Sequence, residues 1–246
     1  MPGSAREIGV YGLGRFGSFF ARILSAIAPV LGYSRNPARP TPEGVRRVGE
    51  EELLRCPVVI LCVAISALPE VLARIAPRLV PNSLIMDTCS VKEKPASWML
   101  SLLPGSVQIL ATHPMFGPDS AVAGLDGLPL ILCPVRIEPA ELERWHGIFA
   151  GLGLAVRRMS PEEHDREAAA TQGLAHFVGR VLAEMNLGES PIGSVGYHKL
   201  LEVIEQTCND SWQLFLDLQR YNPYTREMRL RLEESIAAVR ARLDSP

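Results

Sequence analysis

Six residues near the amino end, Gly12-Leu13-Gly14-Arg15-Phe16-Gly17, constrain the fold of this 246-residue chain more than any others. They follow residues 7–11, Glu-Ile-Gly-Val-Tyr, which read as a short strand. They open residues 15–28, which read as a helix with Phe16, Phe19, Phe20, Ile23, Leu24 and Ile27 on one face. Glycines at this spacing, between a strand and an amphipathic helix, form a dinucleotide fingerprint. Gly12 makes the tight turn, Gly14 lets a pyrophosphate approach the helix N-terminus, and Gly17 lets helix and strand pack closely. Leu13, Arg15 and Phe16 complete the cofactor-binding turn. A glycine-rich turn without a nucleotide is the plainer alternative.

The next residues keep the same alternation. Strands are expected at 30–33, 58–64, 83–87, 108–112, 128–132 and 155–159, and helices at 68–78, 92–103 and 139–151, with a proline-rich loop at 37–42. That order predicts a mostly parallel sheet covered on both faces. From Ser160 onward no strand is read. Ser160-Pro161-Glu162-Glu163 is a helix start, with a serine cap, proline at the first helical position and glutamate three residues after the cap. Helices are expected from there to Leu187, from Val195 toward Arg220, and from Tyr224 to Leu243. The expectation is α/β: a Rossmann-like domain over 1–158 followed by an all-helical domain over 159–246.

Composition removes several classes of function. Lys and Arg number 25 against 27 Asp and Glu, so no basic excess argues for nucleic acid. No apolar stretch reaches the 18 or so residues of a membrane span, and the polar first six residues leave no room for a signal peptide. Cys56, Cys62, Cys89, Cys133 and Cys208 are odd in number, widely spaced and without a CxxC pair. Neither a disulfide framework nor a metal site is expected, and a reducing cytoplasm fits.

Four further sites carry chemistry. NAD-specific folds place an acidic residue at the end of the second strand, yet none occurs between Glu7 and Glu43. Ser34 and Arg35 stand there instead, a hydroxyl and a guanidinium suited to a 2′-phosphate, so NADP is the expected cofactor. Val63 and Thr88, at the ends of the following strands, join the cofactor set. Ser90, in Asp87-Thr88-Cys89-Ser90-Val91-Lys92, offers a hydroxyl at the mouth of the sheet and also reads as the cap of the next helix. His113, in Thr112-His113-Pro114-Met115-Phe116-Gly117-Pro118, ends a central strand, where an imidazole can take a proton near neutral pH. In the helical part, His164, Asp165, Gln172 and His176 lie on one helix, with Gln172 and His176 four apart on a shared face.

Segments 87–95, 112–120 and 163–176 resemble the prephenate/arogenate dehydrogenases of tyrosine biosynthesis, and most of all the plant-type arogenate enzymes. Tyr33-Ser34-Arg35, Gly196-Tyr197-His198-Lys199-Leu200-Leu201 and Asn209-Asp210-Ser211-Trp212-Gln213-Leu214-Phe215 are similar to the same group. The resemblance implies NADP-dependent oxidation of a cyclohexadienol, arogenate or prephenate, with loss of carbon dioxide. It implies a homodimer formed through the helical domain. It makes His113 the base that accepts the C4 hydroxyl proton and Ser90 its hydroxyl partner. Gln172, His176 and Thr207 would line the substrate cavity. Longer bacterial members carry a carboxylate-binding arginine where Gln213 stands here, which leaves Lys199, Arg220 and Arg226 as unranked substitutes. Asp210, read as lying inside a helix where aspartate is a poor helix former, is the expected partner of the arogenate ammonium. A hydroxyacid or imino-acid reductase, which would need a lysine in the role of His113, and a non-catalytic NADP(H) sensor are the alternatives.

Overall fold

The computed structural model describes residues 6–244. Residues 1–5, which hold most of the polar start, lie outside the described residues. The chain divides into two compact units, Met1–Pro161 and Glu162–Pro246.

The first unit is built on one eight-stranded sheet. β1 (Ile8–Tyr11), α1 (Arg15–Ser25), β2 (Val30–Tyr33), β3 (Val45–Arg47), α2 (Glu50–Leu53), β4 (Val58–Leu61), α3 (Leu68–Ile75), β5 (Leu84–Asp87), α4 (Glu93–Leu102), β6 (Gln108–Pro114), β7 (Pro129–Arg136), α5 (Pro139–Gly151) and β8 (Ala155–Arg158) follow in order. The strand order is β3-β2-β1-β4-β5-β6-β7-β8. β1 to β6 run parallel, so the order reverses at β1 and opens a crevice beyond the carboxyl ends of β1 and β4. β7 pairs antiparallel with β6 and parallel with β8.

Alternation along the strands fixes the two faces. Ile8, Val10, Val58, Ile60, Leu84, Met86, Leu110, Leu130 and Leu132 join one cluster with Phe20 and Leu24 of α1 and Trp145 and Phe149 of α5. The intervening Val59, Leu61, Ile85, Ile109 and Ala111 are equally buried on the opposite face. Strands buried on both sides explain the continuous apolar runs in the sequence. β3 and α2 were not expected. Three residues reading Val-Arg-Arg among prolines and glycines carry too little pattern to register as a strand.

The second unit contains α6 (Pro161–Ala168), α7 (Leu174–Glu184), α8 (Val195–Cys208), α9 (Trp212–Tyr221) and α10 (Thr225–Leu243). Residues Ala169–Gly173 join α6 to α7 through one π-helical turn, so the expected single helix has an extra residue wound into it. The side chain of Gln219 donates to the Gly173 carbonyl at this turn, 2.8 Å. α7 and α8 pack closely: a Cβ at Gly179 would fall 2.0 Å from Thr207 Oγ1. The expected helix over 195–220 is corrected to two. It breaks at Asn209 and Asp210, and the Ser211 hydroxyl caps α9 by accepting from the Leu214 N–H. Asp210 therefore lies at a helix junction and not in a helix interior. None of the described helices is long and apolar enough to cross a membrane.

Candidate active site

At the amino end of α1 the three glycines differ in what demands them. Gly12 has φ +110°, and a Cβ there would fall 2.3 Å from the Cys62 carbonyl oxygen. A Cβ on Gly17 would fall 1.8 Å from the Gly12 carbonyl oxygen. Both are required by the close approach of β1, α1 and β4. A Cβ on Gly14 would meet nothing within 4 Å. Packing does not demand a glycine at that position, and its absent side chain leaves room for a ligand close to the backbone. The first turn of α1 carries no acidic residue, so its amide dipoles stay available to an anion. The turn thus fits the pyrophosphate of a dinucleotide. Leu13 is buried in the core and Phe16 stacks on Phe20, so these two offer their backbone to a ligand. Arg15 pairs with Asp119.

The loop after β2 holds Ser34 and Arg35. The Ser34 hydroxyl accepts from the Asn36 N–H at 3.3 Å, and Arg35 is exposed. Arg47, on the unexpected β3, donates to the Asn36 carbonyl at 2.9 Å and to the Arg39 carbonyl. Arg47 is a bracing residue that sequence reading missed, because the strand carrying it was missed.

Val63 lies against the turn, its Cγ1 3.4 Å from a Cβ built at Gly12. Thr88 donates to the Leu61 carbonyl at 3.3 Å, tying the end of β5 to the end of β4. Ser90 is 7% exposed, and its Oγ has no hydrogen-bond partner. The reading of Ser90 as a helix cap is corrected: α4 begins after Lys92, without a side-chain cap. A buried hydroxyl left unpaired costs about 1–3 kcal/mol, so a ligand atom is its natural partner. His113, 3% exposed, lies two residues beyond Ala111, which pairs with Asp87. Ser90 and His113 therefore leave neighbouring strands at the same end of the sheet, the end where the glycine turn lies.

Beneath them is a buried ion pair whose role the sequence did not reveal. Lys92 and Asp87 are both fully buried and bonded to each other. Lys92 also donates to the Thr112 carbonyl. Asp87 accepts from the Cys89 N–H at 3.0 Å and the Thr112 N–H at 3.1 Å. One charge pair thus fixes both the loop before Ser90 and the residue before His113. Cys62 and Cys89 flank this region. Burial pushes the Cys62 thiol up to about 12 and the Cys89 thiol well above its ordinary value, so neither offers a thiolate.

The second unit carries the remaining expected residues. Gln172 sits in the π turn, and its Oε1 is buried and unpaired; so is His176 Nδ1. Burial holds the His176 imidazole below its ordinary value, Asp210 opposing the shift and Arg180 adding to it. The Thr207 hydroxyl is buried and donates to the Val203 carbonyl at 2.7 Å. Arg180 donates to the Asp210 carbonyl and covers the Trp212 ring at 4.6 Å. His164 and Asp165 are buried and bonded to each other at 2.8 Å. Gln213 donates to Asp217 at 2.7 Å. Lys199, Arg220 and Arg226 are exposed.

The family of the prephenate dehydrogenase nucleotide-binding domain matches residues 30–156, and that of the TYRAAT1-like C-terminal domain matches residues 181–246. Arogenate dehydrogenase 2, chloroplastic, of Arabidopsis thaliana is 35% identical over 252 residues. That alignment covers 98% of this chain and 70% of the relative. Arogenate dehydrogenase 1, chloroplastic, of the same plant is 34% identical over 98% of this chain and 40% of its own length. Prephenate dehydrogenase from A. aeolicus, solved with hydroxyphenyl propionate and NAD+, superposes with TM-score 0.77 at 18% identity, over 98% of this chain and 91% of that one. Synechocystis arogenate dehydrogenase superposes with TM-score 0.68 at 22% identity, over 97% and 93%. These two share the fold. With one family matched across residues 30–156 and a relative 35% identical along nearly the whole sequence, the chain belongs to the prephenate and arogenate dehydrogenases.

Proposed function

We propose that this enzyme oxidatively decarboxylates arogenate to tyrosine with NADP as its cofactor. The Ser90 hydroxyl carries the reading. It is buried, has no partner, and stands at the strand end beside the one that bears His113, past a glycine turn that fits a pyrophosphate. A dinucleotide held at Gly12, Gly14 and Gly17 would supply the hydride acceptor for the ring carbon that carries the substrate hydroxyl. His113 accepts the proton that this hydroxyl must lose as the carbonyl develops, and Ser90 bonds the same oxygen. Gln172, His176 and Thr207 contact the substrate, and Asp210 bonds its α-ammonium. Restored aromaticity drives the loss of carbon dioxide. Arogenate and prephenate, each assayed with NAD and with NADP, test the proposal. Arogenate with NADP is expected to be the best pair, and prephenate in first place would change the substrate.

The cofactor preference rests on Ser34 and Arg35. Arg35→Ala should erase most of the NADP preference, removing a charge-assisted contact worth about 1.5–3 kcal/mol. Steady-state kcat/KM with both cofactors measures it; equal use of NAD and NADP by the unmodified enzyme would remove the 2′-phosphate assignment.

Asp210 sets the side-chain preference. Arogenate carries an ammonium where prephenate carries a keto oxygen, so a carboxylate there attracts one substrate and repels the other. Its place at the α8–α9 junction leaves it half-buried and within electrostatic reach of His176. Asp210→Asn should cost arogenate roughly 10- to 150-fold in kcat/KM and raise activity toward prephenate. An unchanged ratio of the two substrates would make Asp210 a bystander.

A homodimer through the helical unit is part of the proposal. Val181, Met185, Val195, Leu200, Leu230, Ile236, Val239 and Leu243 are large apolar side chains exposed on that unit, and a second copy would cover them. The free state of all five cysteines supports a reducing compartment, the cytoplasm.

A further inference from the structure

Three of the buried polar atoms without a partner lie on one stretch of helix: Gln172 Oε1, His176 Nδ1 and Arg180 Nε. They are spaced four apart across the π turn and α7, so they face the same way. Folded chains leave few such atoms unpaired, and a run of three marks a surface completed by a ligand. Their charges are specific. Burial holds His176 toward its neutral form, which leaves Arg180 as the cation of the strip. The guanidinium is half-buried and lies 4.6 Å above the Trp212 ring and 5.7 Å from that of Phe215. Its hydrogen bond runs to the main-chain carbonyl of Asp210, which neutralises no charge. Arg180 is thus a cation bonded to the main chain of a residue that carries an anion.

We propose that Arg180 binds the side-chain carboxylate of the substrate, so that Arg180 and Asp210 together recognise a zwitterionic amino-acid group. This rests on the reading of Asp210 given above. An ammonium and a carboxylate on one carbon need an anion and a cation close together, and the bond from Arg180 to the Asp210 main chain brings the two residues side by side. A guanidinium also suits a carboxylate better than an ammonium does, because its fork of donors matches the two oxygens. Stacking on Trp212 keeps the fork oriented before the ligand arrives. Lys199, Arg220 and Arg226 are exposed, and none of them is among the buried unpaired groups. The ring carboxylate is a different group, lost as carbon dioxide; a strong cation there would stabilise the ground state against that loss.

Titration calorimetry on the full chain, saturated with oxidised cofactor, separates the two carboxylates. The probes are 3-(4-hydroxyphenyl)propionate, which has the side-chain carboxylate alone, tyramine, which has the ammonium alone, and L-tyrosine, which has both. Arg180→Gln should weaken the propionate and tyrosine roughly 10- to 150-fold and leave tyramine unchanged. Arg180→Lys, which keeps the charge and the stem, should recover part of the loss. For turnover, KM should rise with kcat little changed. Equal losses for tyramine and the propionate would assign Arg180 to holding the junction in shape and overturn the proposal. A loss confined to substrates that still carry the ring carboxylate would overturn it as well. If Arg180→Gln does not fold, Arg180→Lys decides through the ratio of propionate to tyramine affinity: a reduced ratio supports the proposal and an unchanged one overturns it. Wild-type turnover is the independent control. An enzyme that oxidises neither arogenate nor prephenate defeats the functional reading, whereas normal turnover with unaltered Arg180→Gln binding defeats the Arg180 assignment alone.

Discussion

Lys92→Met should lower the melting temperature by roughly 6–20 °C. Breaking a buried ion pair from one side costs about 3–5 kcal/mol, and each kcal/mol moves a chain of this size by about 2–4 °C. The cost falls on Asp87. With Lys92 gone, its carboxylate keeps the Cys89 and Thr112 N–H groups but loses its counter-charge in a site closed to water. Methionine fills most of the volume, so the loss is electrostatic rather than a cavity. The double variant Asp87→Asn, Lys92→Met removes the stranded charge and should regain part of the loss. Its kcat should stay low, because the tie from Lys92 to the Thr112 carbonyl, next to His113, is still missing. Thermal unfolding followed by circular dichroism measures the first effect. A shift below about 3 °C would mean that the pair does not hold these two loops.

That pair also shows where the sequence stops being legible. The α/β rhythm, the glycine turn and the shift to helices were readable because each rests on local period: alternating runs, glycine spacing, a Ser-Pro-Glu-Glu helix start. The candidate residues could be named because strand ends in such sheets face the ligand. Lys92 was visible in a motif, but nothing local says that a lysine will be fully buried; its burial comes from a partner five residues away and a carbonyl on the next strand. Arg47 was hidden for a related reason, since its strand forms only by pairing with β2. Helix propensity ran across the break at Asn209–Asp210, which Ser211 caps, so Asp210 was read as a helix-interior residue. Apolar residues stand on both sides of the break, Leu200, Leu201 and Ile204 before it and Leu214 after it, so the pattern gave it no local mark. Arg180 lay one turn beyond a pair already noticed, and only the geometry, with its unpaired nitrogen and the Trp212 ring beneath it, gives it a role.

His113→Ala should lower kcat by about 10²- to 10⁴-fold, the loss typical of removing a positioned base. Cofactor affinity should change little, since the turn that fits the pyrophosphate and the Ser34–Arg35 loop lie on other strands. The oxidation cannot proceed to a neutral carbonyl unless the hydroxyl proton leaves with the hydride. Ser90, Thr112 and His113 are all buried, so bulk water is a poor substitute acceptor. Only the neutral imidazole can accept, so wild-type kcat should fall on the acid side and this limb should vanish in the variant. His113 is buried, so truncation to alanine also opens space and loosens the strand end. His113→Gln keeps most of the bulk and a hydrogen-bonding end but cannot take up a proton. It should match alanine in kcat while melting closer to wild type. Should His113→Gln retain near-normal turnover, His113 would be a positioning group and the proton would leave by another route; should both variants lose activity only in proportion to unfolding, its role would be structural.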